Sequence, residues 1–307
     1  MKDRFMALGN GKKVLLVFGA LVALAIAINF IAPSEGKNEE FQPQNEFKLD
    51  NWVSLKLGQL DMSLNKAVLY LFLGCALTTA MMLYIAKRME DRPNRVQTAV
   101  EVAYDLARNQ ITRGNMDDKM ALKWFPFVAT IFFFILISNL IGYIPLPTNT
   151  EHTVSVFGFD VPSFAIYAAT ANLSVPLVLT LVVWFAYHIE GIRVHGFGGY
   201  LKTWVPAGVT GPAAVPIFAI EVISHFVRII SLSVRLFANI LAGHLLILFM
   251  AGGLVVLLGL AALGVFTLPI AIVFFIFEVG LIAGLQAFIF ATLTSIYLGS
   301  ATAAEGH

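Results

Sequence analysis

The sequence predicts an all-α, polytopic membrane protein with five to six transmembrane helices, the last two forming a long, strongly tilted pair. Three observations predict it. First, the 307 residues are 58% hydrophobic with a mean hydropathy of +0.81, while only 13% are charged. That charged share is about half the usual soluble value, and no soluble fold could bury so much apolar surface. Second, apolar windows of about 20 residues, the length that crosses a ~30 Å hydrocarbon core, recur at 14–33, 64–86, 125–146 and 163–187. Third, two longer apolar stretches follow at 213–252 and 264–299. As one helix, 213–250 would run roughly 57 Å, nearly twice the core, so it must be strongly tilted or broken. It contains no turn signal stronger than Gly243.

The elements follow in order. Lys2, Arg4, Lys12 and Lys13 precede the first window, which is either a retained anchor or a cleaved secretory signal. Residues 34–63 are polar and acidic, with Pro33 and Pro43 at hand, and read as a loosely ordered external segment. Between 96 and 113, Val96, Ala99, Val100, Ala103, Leu106, Ala107 and Ile111 keep helical spacing while Glu101, Asp105 and Arg108 take the other face. This is an amphipathic helix, lying on the membrane surface or packed on a partner. The chain divides into an N-terminal segment 1–63, a membrane domain 64–300 and a tail 301–307. With the N-terminus inside, 1–13, 87–124 and 188–212 carry 14 of the 20 Lys and Arg residues, against four (Lys37, Lys48, Lys56, Lys66) outside. The positive-inside rule therefore puts the C-terminus in the cytoplasm.

Several function classes fall away. A net charge of +1, with no basic patch interleaved with aromatics, argues against nucleic acid. The single cysteine, Cys75, lies in an apolar run and excludes disulfides and Cys-based zinc sites. There is no HExxH and no GxSxG, and the Gly9-Asn10-Gly11-Lys12-Lys13 run lacks phosphate-loop spacing. No metal, cofactor or hydrolytic chemistry is expected.

Chemistry concentrates in the last two stretches. Glu221, Glu278, Arg228 and Arg235 are the only charged residues deep in apolar sequence. An ionisable group in hydrocarbon costs several kcal/mol unless it meets a partner or water, so each is a candidate site residue. At about 100° per residue, Glu221, Ser224, Arg228, Ser231 and Asn239 all project within roughly 40° of Arg235. The stripe spans about 27 Å, close to the membrane thickness. The plainer alternative is a stripe neutralised by neighbouring helices for packing alone. His244 lies on the face opposite Arg235, and Glu278 and Gln286 stand about 80° apart in the final stretch. His225 reads equally well as structural, whereas His152, His188, His195 and His307 read as solvated loop or terminal residues. Gly280 and Gly284 have the small-xxx-small spacing of close helix contacts.

The run Ser231-Leu232-Ser233-Val234-Arg235-Leu236-Phe237-Ala238-Asn239-Ile240-Leu241-Ala242-Gly243-His244 resembles the signature of subunit a of F-type ATP synthases. It is joined by Gln286-Ala287-Phe288-Ile289-Phe290, by Thr170-Ala171-Asn172-Leu173-Ser174 and by Ser138-Asn139-Leu140-Ile141-Gly142-Tyr143-Ile144-Pro145. The likeness covers about 64–300. It implies a non-catalytic stator subunit of the Fo sector, with two ion half-channels against a ring of c subunits. Arg235 matches the essential arginine. Glu221, Asn239, His244, Glu278 and Gln286 would line the access path or position that arginine, with Ser231 and Arg228 weaker candidates toward the cytoplasm. One departure stands out: many members carry a carboxylate seven residues before the glutamine, and Glu278 is eight before Gln286. The resemblance further implies a c-ring, peripheral-stalk b subunits and the F1 sector as partners, a bacterial-type inner membrane as location, and protons as the default ion. A self-contained secondary transporter is the alternative, although neither internal repeats nor midplane-broken helices are evident.

Overall fold

The computed structural model describes residues 10–31, 47–49, 51–57, 60–61, 63–87, 92–156, 159–206, 209, 211–258 and 261–303. Its elements run α1 (Asn10–Ile31), β1 (Lys56–Leu57), β2 (Leu60–Asp61), α2 (Lys66–Lys87), α3 (Arg95–Asp105), α4 (Asp118–Gly142), β3 (Leu146–Val156) and β4 (Phe159–Ala165). They continue with α5 (Ser174–Thr203), α6 (Ala214–Leu248), α7 (Leu254–Leu258), α8 (Gly264–Phe277) and α9 (Ala283–Thr302). Five described helical stretches are long and apolar enough to cross a membrane: Lys66–Tyr84, Asp118–Gly142, Ser174–Thr203, Gly211–Val256 and Gly264–Thr302. The all-α polytopic prediction holds, and α1 adds a shorter apolar stretch, Gly19–Ile28. Lys2, Arg4, Lys37 and most of the 34–63 segment lie outside the described residues.

The chain sorts into two compact units. One comprises Met1–Lys48 with Ala242–Glu278, the other Leu49–Leu241 with Val279–His307. In the first, α8 packs on α1 and on a π-helical turn, Phe249–Gly253. In the second, α4 lies between α2 and α9, and α9 also packs on α5. Phe132, Ile135, Tyr187, Leu236 and Phe290 belong to its buried core. At the end of α4, Asn139 donates to the Ala283 carbonyl at 3.3 Å and accepts from the Thr170 hydroxyl at 2.7 Å. All three groups are buried, where an unmade hydrogen bond costs about 1–3 kcal/mol. Gly142 sits where a Cβ would come within 2.8 Å of the Ala168 Cα, so only glycine lets the short 3-10 turn Ala169–Ala171 approach α4. Asn172 then accepts from the Ser174 amide at 3.0 Å and opens α5. Tyr167, on this same connection, is buried, and burial pushes its phenol above the ordinary range, with the Asn172 hydrogen bond opposing.

The structure corrects several sequence expectations. The window 163–187 is no single span: its start closes an antiparallel hairpin, β3 with β4, and α5 runs on to Thr203. Strand pairing satisfies the backbone of a segment that composition alone reads as a loop. The amphipathic segment is α3 continued by a π-helical stretch, Leu106–Arg113. Ala107 and Ile111 are buried as the spacing predicts, whereas Gln97 is also buried and Val96 and Ala99 are exposed. The 213–252 stretch stays helical from Ala214 to Leu248, 35 residues or roughly 52 Å, so no break shortens it over that range.

A further correction concerns charge. Glu190, which sequence reading leaves in a cytoplasmic connection, is 1% exposed inside α5. Lys123 of α4 pairs closely with one of its oxygens, and Arg193 lies 3.9 Å from the other. Breaking such a pair strands a buried carboxylate, whereas neutralising both partners does not. Lys123→Met is therefore expected to lower stability by about 3 kcal/mol, toward the lower end for a buried pair because the lysine head is half exposed. Adding Glu190→Gln should recover most of the loss, and thermal melting of the two variants in detergent checks this.

Candidate functional site

The polar stripe of α6 is formed as the sequence predicts, but its members are not equivalent. Glu221 and Arg228 neutralise each other: the Arg228 guanidinium donates to Glu221 Oε1 at 3.0 Å, two turns along the same helix. Both are half-buried. His225, buried between them, has Nδ1 3.4 Å from Arg228 and 3.0 Å from the Tyr187 hydroxyl. An arginine only donates, so Nδ1 accepts and the neutral ring carries its proton on Nε2, which lies 3.7 Å from Glu221 Oε1. The Arg228 guanidinium also sits 5.1 Å over the Tyr297 ring. Glu221, His225, Arg228 and Tyr187, together with Tyr200, Trp204 and Ser300, line an open cavity of about 150 Å³, polar and large enough for several waters.

Arg235 differs. It lies near the midpoint of the Gly211–Val256 apolar stretch, is exposed, and has no hydrogen-bond or ion-pair partner among the described residues. Asn239, one turn on, and Ser231, one turn back, are also exposed, and the Ser231 hydroxyl is turned back onto the Arg228 carbonyl at 3.3 Å. The opposite face of α6, with Leu232, Leu236 and Ile240, is buried in the core. Packing alone accounts for the Glu221–Arg228 half of the stripe and not for the Arg235 half.

In the other unit, His244 is fully buried and Glu278 is 7% exposed. Their neighbour Gly243 supplies a contact invisible in sequence. A Cβ there would fall on the Glu278 carboxylate, with Oε1 at 2.6 Å. Gly243 is thus neither a turn nor a break but the floor against which Glu278 is held. Glu278 itself begins a π-helical turn, Glu278–Ile282. A π turn holds one residue more than an α turn, so the eight-residue interval from Glu278 to Gln286 contains the extra residue that a seven-residue interval in plain α-helix lacks. The departure from the family spacing thus has a structural counterpart. Gln286, on α9, is buried. A Cβ at Gly280 or Gly284 would meet nothing within 4 Å among the described residues, so no close helix contact there uses them.

The remaining histidines are reassigned in part. His188 lies within α5, accepts or donates at 2.8 Å to the Tyr200 hydroxyl, and stacks beside Trp204 and His225, which no sequence period signals. His195 is half-buried, next to a kink at Gly196 (φ 71°). His152 falls in β3, and His307 lies outside the described residues. Among the described residues no group of three or more His, Cys, Asp or Glu could hold a metal ion.

These features define a multi-pass helical membrane protein. Comparison with known proteins agrees. Residues 68–299 match the family described as ATP synthase A chain. The chain is 33% identical over 272 residues to "ATP synthase subunit a" of Hyphomonas neptunium, covering 86% of this chain and 97% of that protein. It is 35% identical over 257 residues to that of Rubrobacter xylanophilus (83% and 90%), and 32% over 262 residues to that of Brucella ovis (84% and 96%). The chain belongs to the ATP synthase subunit a family.

Gly243→Ala tests the Glu278 seat. The added methyl must displace the carboxylate, and we expect an assembled protein whose proton-driven ATP synthesis falls about tenfold, some 1.4 kcal/mol. Glu278→Asp, one methylene shorter, should restore part of the rate when combined with Gly243→Ala, as measured in membrane vesicles.

Proposed function

We propose that this chain is the non-catalytic, ion-translocating stator subunit of an ATP synthase Fo sector, working against a ring of c subunits and held by peripheral-stalk b subunits beneath F1. The observation that carries the proposal is Arg235, exposed and unpartnered near the middle of an apolar helix. A guanidinium there requires an anionic surface opposite it, and a ring of membrane carboxylates is such a surface. As each carboxylate arrives, Arg235 favours its ionised form and so drives proton exchange. The fixed charge also blocks a continuous file of protons between two half-channels. Arginine suits the task because it stays charged at low dielectric and its planar fork can hold a carboxylate while donating to a neighbour such as Asn239.

The half-channels are assigned by position. Under the charge-derived orientation, Glu221, Arg228 and Ser231 lie toward the cytoplasm, and the aromatic-walled cavity at Glu221 supplies water there. His244 and Glu278 are the titratable groups proposed for the other half. Protons are the proposed ion, since no added cluster of oxygen ligands accompanies these residues. The membrane is a bacterial-type inner membrane, the C-terminus is cytoplasmic, and 64–300 is the functional membrane domain. A secondary transporter would instead face its buried charges into its own interior and be active alone. Recovery of the purified chain with c-ring and stalk subunits supports the stator reading, and autonomous transport by the chain alone opposes it.

Arg235→Ala and Arg235→Lys are expected to assemble yet abolish coupled ATP synthesis, with the alanine variant also leaking protons. A lysine at this depth can discharge on burial, which is why it does not substitute. Vesicles carrying Arg235→Ala that still make ATP from an imposed proton gradient defeat the proposal. Glu221→Gln should slow synthesis without loss of assembly. In a Cys75→Ser background, cysteines at the exposed positions Ser54 and Lys119 should react with an impermeant thiol reagent from outside and inside respectively. The reverse pattern removes the assigned orientation.

A further inference from the structure

The helices α2 and α4 touch at one level and part at another. Gly74 permits the touch: a Cβ there would stand 2.7 Å from the Ser138 hydroxyl. Toward Lys87 and Asp118 the two helices separate, and Tyr104 from α3 meets Phe125 edge-on with ring centroids 5.0 Å apart. Between them lies a groove of about 400 Å³, walled by Thr79, Met82, Leu83, Pro126 and Ala129. Of the three threonines on its walls, two have their hydroxyls turned onto the backbone. The Thr78 hydroxyl donates to the Gly74 carbonyl and the Thr130 hydroxyl to the Pro126 carbonyl, each at 2.7 Å. The groove presents mainly apolar surface, aliphatic from Met82, Leu83 and Ala129 and aromatic from Phe125 and Phe133.

Depth and charge identify the occupant. From Phe125 to Phe133 the wall rises about 12 Å, close to half of the ~30 Å hydrocarbon core. A partner helix crossing the bilayer needs a groove through both leaflets, whereas this one is closed at the Gly74–Ser138 contact and serves one leaflet only. Its open end is flanked by cations. Lys87 continues the Leu83 face of α2 one turn on, within about 40°, and Lys119 continues the Pro126 face of α4 two turns back, within about 20°. Both lysines are exposed. A tyrosine and two lysines at the mouth of an apolar slot suit the headgroup level of a membrane.

We propose that this groove binds one acyl chain of an anionic phospholipid whose phosphate is held between Lys87 and Lys119. The site depends on the multi-pass fold and is independent of the role assigned to Arg235. The intact protein, purified in its assembly and placed in phosphatidylcholine vesicles, is photolabelled with a phosphatidylglycerol carrying a diazirine midway along one chain. Adducts are expected to concentrate on 78–83 and 125–133, to be competed by unlabelled phosphatidylglycerol and to resist competition by phosphatidylcholine. Thr79→Trp, on an exposed wall position, should fill the slot and cut this labelling about tenfold, equivalent to ~1.4 kcal/mol. Lys87→Gln with Lys119→Gln should retain labelling but lose the preference for the anionic lipid. Three results overturn the proposal: equal labelling of every lipid-facing helix surface, labelling unchanged in a Thr79→Trp protein with normal elution, or cross-linking of the groove to a co-purified protein helix.

Discussion

Setting a guanidinium at the middle of an apolar helix is costly, and the cost falls only if the charge finds an anion or water. Within the second unit the chain buries the apolar face of α6 with Leu232, Leu236 and Ile240 while Arg235, Asn239 and Ser231 remain uncovered. An arginine so exposed is the costliest feature of this helix face, and the family to which the chain belongs works in a multisubunit assembly.

The other buried charges are handled in the opposite way. Glu190 has Lys123 and Arg193, and Glu221 has Arg228 with His225 beside them. These carboxylates are compensated within the chain, as a low-dielectric interior demands. That contrast separates carboxylates neutralised within the chain from a cation that is not, among the described residues. It also explains why six polar side chains on one helical face should not be read as one unit: the half near Glu221 is internally neutral, and the half near Arg235 is not.

Much of this was legible beforehand. Five of the apolar windows correspond to helices, and the Arg235 face of α6 was fixed by 3.6-residue periodicity alone. What escaped were interactions spanning long stretches of chain. Glu190 follows a run of aromatic and polar residues that looks like the end of a span, and its partner Lys123 is 67 residues away. His188 was placed in solvent for the same reason. Gly243 could be recognised as small, but nothing local indicates that Glu278, 35 positions later, occupies the space its missing side chain leaves. The β3–β4 hairpin falls almost entirely between two apolar windows, in a segment whose mixed composition reads as a loop, and only its last residues, 163–165, enter the next window.

The Glu221–Arg228 pair has a consequence for biogenesis. A charged residue near the centre of an inserting helix costs about 2.5–3.5 kcal/mol at the translocon, and α6 carries three. Two of them, seven residues apart on one face, can cancel inside the segment itself, before any other helix has arrived to help. The nascent helix then presents the insertion machinery with the burden of a single cation, embedded in flanking Ile, Leu, Val and Phe, rather than that of three separate charges. A contact that looks structural in the finished protein thereby eases the passage of its most polar span out of water.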